Sequence, residues 1–285
     1  MAGAPGRTMG RQTQQRLTTT ASYIILGVGA IVMLVPFFWM VSTSLKSIGE
    51  VFVFPPKLIG SDVVWQNYEE VLAKTPFPRM LWNTVFITAF TVGGTLLTSA
   101  MAGFAFSKNF NYRGKTFLFV MFLLAIMIPY HVLLVPTFAL LKGMGLLDTP
   151  WALILPAVVA PFGIFLMRQF FLGIPMELAE AARLDGCSPW GVFWYIFLPL
   201  SKPALAALGI LTFVASWNDF LRPLIFLSSN EQMTLTLGIF TMQGMFATNW
   251  PLLMATVVLT LLPVVVVFLL VQDLFVKGIA HTGIK

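Results

Sequence analysis

Long apolar runs dominate this sequence and restrict what it can fold into. Six of them lie at Tyr23–Val41, Leu81–Phe106, Thr116–Leu141, Trp151–Met167, Pro203–Leu227 and Pro251–Gln272. Only the fifth run carries formal charge, at Asp219 and Arg222, and the fourth is short and interrupted by proline. Because a helix needs roughly 20 apolar residues to cross about 30 Å of hydrocarbon, we predict an all-α, polytopic membrane protein with six transmembrane helices.

The composition agrees with a membrane location. The chain is 58% hydrophobic and 10% charged, whereas soluble domains carry roughly 25% charged residues. The net charge is +6, but the basic residues are scattered and form no stripe of the kind that binds nucleic acid. Cys187 is the only cysteine, which excludes an internal disulfide and a multi-cysteine metal site. We therefore expect membrane lipid, and no nucleic acid, around the chain.

The basic residues between the runs indicate how the chain is oriented. Eleven fall on one side of the predicted membrane, at Arg7, Arg11, Arg16, Lys108, Arg113, Lys115, Arg168, Arg183, Lys202, Lys277 and Lys285. Five fall on the other side, at Lys46, Lys57, Lys74, Arg79 and Lys142. The positive-inside rule then puts both termini in the cytoplasm. We interpret residues 1–21 as a cytoplasmic tail and residues 22–285 as a transmembrane domain that begins with an uncleaved anchor helix.

Nothing in the sequence predicts a catalytic, metal or nucleotide site. Gly114-Lys115-Thr116 resembles the end of a phosphate-binding loop, but that loop needs a glycine where Asn109 stands. His131 and His281 have no carboxylate at metal-ligand spacing. A membrane enzyme is therefore not favoured, and we expect no cofactor in this chain.

A charged stretch follows the fourth run: between Met176 and Leu200, in a predicted cytoplasmic loop, two glutamates, an arginine and an aspartate fall within nine residues. Pro175 is suited to the first turn of a helix, and Gly186 to the left-handed residue that ends one. Ser188 and Pro189 then suit the N-cap and first position of a second helix. The stretch therefore predicts two short helices that meet at a glycine.

The first of these helices has a small apolar face, formed by Leu178, Ala181, Ala182 and Leu184 and flanked by charge. Such a face suits a docking site for a soluble partner. It is also typical of an amphipathic helix that lies on the membrane surface. Composition alone favours neither interpretation.

Individual residues carry a resemblance that favours docking. Glu180-Ala181-Ala182, three residues, Gly186, nine residues, and Ile196-x-Leu198-Pro199 resemble the EAA signature of the membrane subunits of bacterial ABC importers. Trp217-Asn218-Asp219 and the C-terminal segment Phe275–Lys285 resemble the maltose-type carbohydrate importers. The resemblance covers nearly the whole chain from about residue 20.

This resemblance implies a type I ABC importer permease in the bacterial inner membrane, with its core at about 78–275 and its EAA coupling loop at about 174–200. It implies four kinds of partner: a second permease, two ATPase subunits, an extracytoplasmic sugar-binding protein and lipid. ATP and Mg would be bound by the ATPases. Carried onto this sequence, ATPase coupling falls to Glu180, Ala181, Ala182 and Gly186.

Three further groups of residues are candidates for function. Asn218, Asp219 and Arg222 are candidates for the transport pathway, with anchoring of Arg222 at the membrane interface as the alternative. Gln243 and Asn249, in the external loop Asn230–Trp250, are candidates for contact with the binding protein, unless that loop is only a surface loop.

The C-terminal residues His281, Thr282, Gly283, Ile284 and Lys285 are candidates for a second ATPase contact, with disorder as the alternative. The rival function is a secondary transporter, a class that also has broken helices and charges within the membrane.

Overall fold

The computed structural model describes residues 11–108, 110–243 and 248–282, and side chains between residues 14 and 272 of these ranges. The described part is helical and contains no strand. Its helices are α1 Arg11–Ser44, α2 Gln66–Lys74, α3 Phe77–Ala105, α4 Lys115–Met127, α5 Tyr130–Gly143, α6 Trp151–Ala157, α7 Pro161–Leu172, α8 Met176–Leu184, α9 Pro189–Val192, α10 Leu198–Leu200, α11 Lys202–Trp217, α12 Leu221–Phe226, α13 Leu235–Thr241 and α14 Trp250–Thr282. Short 3₁₀ turns lie at Ile48–Glu50 and Asn230–Gln232, and a π turn at Phe193–Phe197.

Within the described residues, four segments are long and apolar enough to cross a membrane: Gln14–Ser44, Phe77–Ala105, Trp151–Leu172 and Trp250–Gln272. Two pairs of bent helices, α4 with α5 and α9–α10 with α11, raise this number to six if each pair is one span. Each of the six predicted runs overlaps one of these segments, but the fifth, Pro203–Leu227, begins after the bend at Ser201 and extends beyond α11.

The third and fifth runs differ from the continuous helices expected for them. In the third, α4 and α5 are bent by 105°, because Pro129 restricts the residue before it and Ile128 adopts an extended conformation with ψ 117°. In the fifth, α11 ends at Trp217 instead of Leu227. At this end, the carbonyl oxygen of Val214 accepts from both the backbone amide and the side-chain amide of Asn218, at 3.2 and 2.9 Å.

The interruption expected in the fourth run lies between α6 and α7, at residues 158–160. A break in a spanning helix frees backbone carbonyls that lipid cannot satisfy. Here α3 satisfies two of them: the Thr95 hydroxyl donates to the carbonyl oxygen of Ala157 at 3.2 Å, and the Thr98 hydroxyl donates to that of Val158. The break is thus a stable part of the fold.

Helix α3 is central to the packing, since it lies against α6, α7 and α11. Close approach to α7 depends on Gly103, where a Cβ atom would lie 2.8 Å from Cβ of Met167. By contrast, α1 packs on α14, and all its residues from 14 to 39 are exposed. That apolar surface suits lipid or another membrane subunit.

The segment after α1 is fixed to the end of that helix. Lys46 is only 1% exposed, and its ammonium group donates to the carbonyl oxygen of Lys57 at 2.6 Å and lies 4.7 Å from the ring centre of Trp39. The Asn67 side chain donates to the carbonyl oxygens of Ser44 and Lys46. The long connection between α1 and α3 is therefore an ordered segment that packs against the end of α1.

Candidate functional site

The charged stretch forms two short helices, as predicted. Helix α8 begins at Met176, one residue after the expected Pro175, which occupies the N-cap position with an extended ψ of 133°. Glu177 lies in its first turn, where a negative charge complements the helix dipole. Helix α9 begins at Pro189, and the Ser188 hydroxyl oxygen accepts a hydrogen bond from the amide of Gly191 at 3.1 Å.

The end of α8 is closed by a Schellman motif around Gly186. Gly186 has φ +84°, as the sequence predicted, and its amide donates to the carbonyl oxygen of Arg183 at 3.0 Å. The next amide, of Cys187, donates to the carbonyl oxygen of Ala182 at 2.9 Å. These are the two bonds that define the motif. They fix the direction in which the chain leaves α8.

The predicted apolar face of α8 was wrong in one respect, because Ala182 does not lie on the exposed side. Ala179 and Ala182, three residues apart, are 0% and 9% exposed and pack against the hydrophobic core. Their small side chains let α8 approach α9 and the π turn closely. The other three predicted residues, Leu178, Ala181 and Leu184, are exposed together with Glu177, Glu180 and Arg183, and Leu184 is 89% exposed at the end of the helix.

Asp219 and Arg222 form an ion pair between α11 and α12. Both side chains are largely buried, at 15% and 16% exposure, and the Arg222 guanidinium lies 5.8 Å from the ring centre of Tyr130. Asn218, whose amide nitrogen is bonded to the carbonyl of Val214, is the third predicted pathway residue. The pairing is confirmed, while the pathway role of all three residues stays a prediction.

Sequence reasoning missed a cavity of about 460 Å³ between α3, α11 and the broken fourth span. Its walls carry the hydroxyl groups of Thr91, Thr95, Thr212 and Ser216, the ring of Phe162 and the side chain of Arg222. The sequence does hold a signal for one wall: hydroxyl residues recur on α3 at 84, 88, 91 and 95, which is helical spacing. The opposite wall depends on the tertiary fold.

Comparison with known proteins identifies the family. The family described as "Binding-protein-dependent transport system inner membrane component" matches residues 94–281. The chain belongs to this family. The protein is therefore a permease subunit of a bacterial ABC importer, a multi-pass inner-membrane protein whose ATPase is a separate subunit, and the predicted family and helical fold are confirmed.

Relatives of the permease cover most of its length. The arabinooligosaccharides transport system permease protein AraQ of Halalkalibacterium halodurans is 38% identical over 86% of this chain and 86% of its own. The sn-glycerol-3-phosphate permease UgpE of Yersinia pestis is 35% identical over 91% and 95% of the two chains. The lactose permease LacG of Rhizobium radiobacter is 31% identical over 93% and 96%.

A solved structure has the same fold. A bacterial ABC transporter that imports the acidic polysaccharide alginate contains a chain that superposes with a TM-score of 0.82 at 25% identity, over 94% of the permease and 99% of that chain. The broken helices of the permease are therefore compatible with a known importer architecture.

The loop expected between Asn230 and Trp250 is partly helical in its described residues. It contains α13, whose Leu235 amide donates to the Thr84 hydroxyl oxygen of α3 at 2.9 Å. Asn249 caps α14, because its side-chain oxygen accepts from the amide of Leu252 at 3.2 Å, whereas Gln243 is exposed. Their contact with a binding protein stays a prediction.

The predicted C-terminal contact, His281 to Lys285, lies outside the residues whose side chains are described. Elsewhere in the permease, among the side chains that the structure does describe, no group of three His, Cys, Asp or Glu residues is placed to hold a metal ion.

Proposed function

We propose that this permease imports a carbohydrate and is driven by two cytoplasmic ATPases that dock on α8. The carbohydrate is supported by relatives whose names specify arabinooligosaccharides and lactose, and by the structural match to an alginate importer. A second permease subunit would complete the pathway, and an extracytoplasmic binding protein would deliver the sugar. Both termini would lie in the cytoplasm, as the distribution of basic residues favours.

The observation that carries the proposal is the shape of α8. One side of this helix is buried through Ala179 and Ala182, and the other presents Glu180 and Leu184 to the outside. A helix that only lies on lipid needs no such anchorage. With its C-terminal end closed at Gly186, α8 is a rigid projection that can enter a cleft in another protein.

A packed route leads from α8 to the membrane helices. Ala179 and Ala182 belong to the same buried cluster as Phe104 of α3, Phe171 of α7 and Leu208 of α11. Aromatic rings link its parts, with the ring centres of Phe104 and Phe171 6.2 Å apart. Leu208 also lines the cavity. Movement of α8, when the ATPases close on ATP, would thus be transmitted to the cavity walls through direct contacts.

In this proposal, residues 174–200 are the coupling loop, residues 1–21 the cytoplasmic tail and about 78–275 the transmembrane core. Glu180 and Ala181 contact the ATPase, Ala182 fixes α8 to the core, and Gly186 sets the exit of the chain. The Asp219–Arg222 pair lies beside the pathway, because Arg222 borders the cavity. Gln243 and Asn249 contact the binding protein, and the tail from His281 to Lys285 contacts the ATPases.

Reconstitution tests this function against a secondary carrier. The permease is placed in proteoliposomes with its partner permease and ATPases, and uptake of a labelled sugar is measured with loaded binding protein outside. We expect uptake to require internal ATP and to be unaffected when a proton gradient is collapsed. Uptake that needs only an ion gradient would overturn the proposal.

A further inference from the structure

The cavity lies close to the midpoint of α3, a helix long enough to cross a membrane. Thr91 is the fifteenth of the 29 residues of α3, counted from Phe77, and Ala157 and Ala160 on the facing wall border the break in the fourth span. Hydroxyl groups are costly in hydrocarbon unless they are bonded. Their concentration on one cavity wall therefore calls for an explanation beyond packing.

Two of these hydroxyl groups are bonded to the protein, and a third is buried without a partner. The Thr95 hydroxyl donates to the carbonyl oxygen of Ala157, and the Ser216 hydroxyl donates to the hydroxyl oxygen of Thr88 at 3.3 Å. The hydroxyl oxygen of Thr91 is buried without a hydrogen-bond partner, although Thr91 lines the cavity. Leaving such a group unpaired is costly, so a polar ligand in the cavity would be stabilised by it.

The facing wall offers an aromatic surface. Phe162 lines the cavity and is 48% exposed, although it lies in the first turn of α7. The apolar C–H face of a sugar ring packs well on an aromatic ring. The first amides of a helix also have no partner within it, and Ala160 at the N-cap position supplies no side-chain acceptor. The wall thus combines an aromatic platform with potential hydrogen-bond donors.

The charge of the site is balanced. Arg222 is the only residue with formal charge among those that line the cavity, and its guanidinium is paired with Asp219. An anionic ligand would have to displace the Asp219 carboxylate to bind Arg222. A neutral ligand leaves this pair intact and needs only hydroxyl groups and an apolar face.

We propose that this cavity is a binding subsite for a neutral sugar within this chain, in which Thr91 bonds a sugar hydroxyl and Phe162 packs against the ring. The Asp219–Arg222 pair disfavours anionic substrates. The inference rests on the proposed carbohydrate import and narrows it. This selectivity for neutral sugars would distinguish the permease from a relative named for glycerol phosphate and from the importer of alginate, whose substrates are anions.

The experiment uses the complete transporter in proteoliposomes, with Thr91→Val as the variant and Ser99→Ala as its matched control. Ser99 also lies on α3 with a buried hydroxyl that has no partner, but it does not line the cavity. The probes are lactose and an arabino-oligosaccharide as neutral sugars, and glycerol 3-phosphate and an alginate trisaccharide as anions. The readout is the amount of probe imported per ATP hydrolysed.

We expect wild type to import a neutral probe in preference to both anions. Thr91→Val, which loses one hydrogen bond to the ligand, should lower import per ATP about five- to tenfold, and Ser99→Ala should leave it within about twofold of wild type. Phe162→Ala should also lower import per ATP, and Phe162→Tyr should restore it. A merely structural role of Thr91 would lower import and ATP hydrolysis together.

The outcomes separate the two proposals. If wild type imports none of the probes despite ATP hydrolysis stimulated by its binding protein, carbohydrate import itself is wrong. If wild type imports a neutral probe and Thr91→Val and Phe162→Ala both match it, the subsite is wrong. Preferred import of an anion would overturn the neutral selectivity.

A second measurement tests the subsite without Thr91→Val, in case that variant fails to assemble. A cysteine at the cavity residue Thr212, in a Cys187→Ser background, is labelled with a small thiol reagent in the assembled transporter. A neutral probe at high concentration should slow labelling severalfold, and glycerol 3-phosphate should not. Equal labelling rates with and without every neutral probe would contradict the subsite.

Discussion

The amide of Cys187 donates to the carbonyl oxygen of Ala182 at 2.9 Å across the turn at Gly186. This bond joins the first residue of the chain leaving α8 to the side of α8 that is buried in the core. The direction of the projection and its anchorage to the membrane helices therefore depend on the same few residues.

The first prediction concerns that turn. Gly186→Val places a β-branched residue at φ +84°, which costs about 1–2 kcal/mol of conformational energy. No other atom lies within 4 Å of a Cβ built there, so the effect is confined to the backbone. We expect normal membrane insertion but loss of most ATP-driven uptake, measured in vesicles. Gly186→Asn, which tolerates this region better, should keep more uptake than valine, and equal uptake in both would contradict the explanation.

The second prediction concerns the exposed face of α8. Glu180→Lys reverses a charge that lies outside the core, so the fold should be unaffected while docking is weakened. We expect the ATPases to be lost on purification, or to be retained without stimulation by the loaded binding protein. Arg16→Glu, an exposed reversal on α1, is the control. If α8 were only a lipid-surface helix, Glu180→Lys would transport normally, because lysine favours anionic headgroups.

The third prediction concerns the ion pair beside the cavity. Removing one partner of a buried pair leaves the other charge uncompensated, at a cost of about 3 kcal/mol or more. Asp219→Asn and Arg222→Gln should therefore each lower the thermal stability of the purified transporter and its uptake. The exchange Asp219→Arg with Arg222→Asp should recover part of the stability. Single variants that are both as stable and as active as wild type would exclude a role for the pair.

The fourth prediction concerns orientation. Single cysteines replace the exposed residues Asn111 and Asn230 in a Cys187→Ser background, and intact cells are treated with a membrane-impermeant thiol reagent. The positive-inside distribution predicts that Asn230→Cys is labelled from outside and Asn111→Cys only after the membrane is opened. Labelling of both in intact cells would contradict six spans with cytoplasmic ends.

The fifth prediction concerns pH, through Asp148 in the segment between α5 and α6. Its carboxylate accepts hydrogen bonds from the amides of Ser228 and Ser229 at 2.9 and 3.0 Å, and these bonds hold the pKa of Asp148 below its usual value. A lowered pKa means that the carboxylate stabilises the fold above its unfolded pKa and that this contribution is lost as the pH falls through the folded value.

The melting temperature of the purified permease should therefore fall more steeply with acidification below about pH 4 in wild type than in Asp148→Asn. Asparagine tolerates the positive φ of 60° at this position, so the backbone is controlled for. Parallel melting curves for the two proteins across this pH range would contradict the role of the carboxylate. The difference should be modest, because the carboxylate is partly exposed.

Hydropathy predicted the spans because, in lipid, an apolar run has few alternatives to a helix. Local chemistry predicted Gly186 and Ser188, since turns and caps depend on neighbouring residues. Pro129 itself indicated the break between α4 and α5, but the apolar run around it led to the prediction of one continuous helix. The spacing of Ala179 and Ala182 places them on the same side of α8, but which side of α8 packs against the core depends on the tertiary fold. The cavity depends on three separate segments, and no local pattern specifies it.

The hydroxyl groups of Thr95 and Thr98 on α3 also bear on how the protein is made. The carbonyls that they satisfy, at Ala157 and Val158, belong to a span synthesised about sixty residues later. A broken helix that enters lipid alone leaves polar backbone groups exposed to hydrocarbon. During biogenesis, the earlier helix thus already carries the donors that the later one needs, and the order of translation supplies the partner before the defect enters the bilayer.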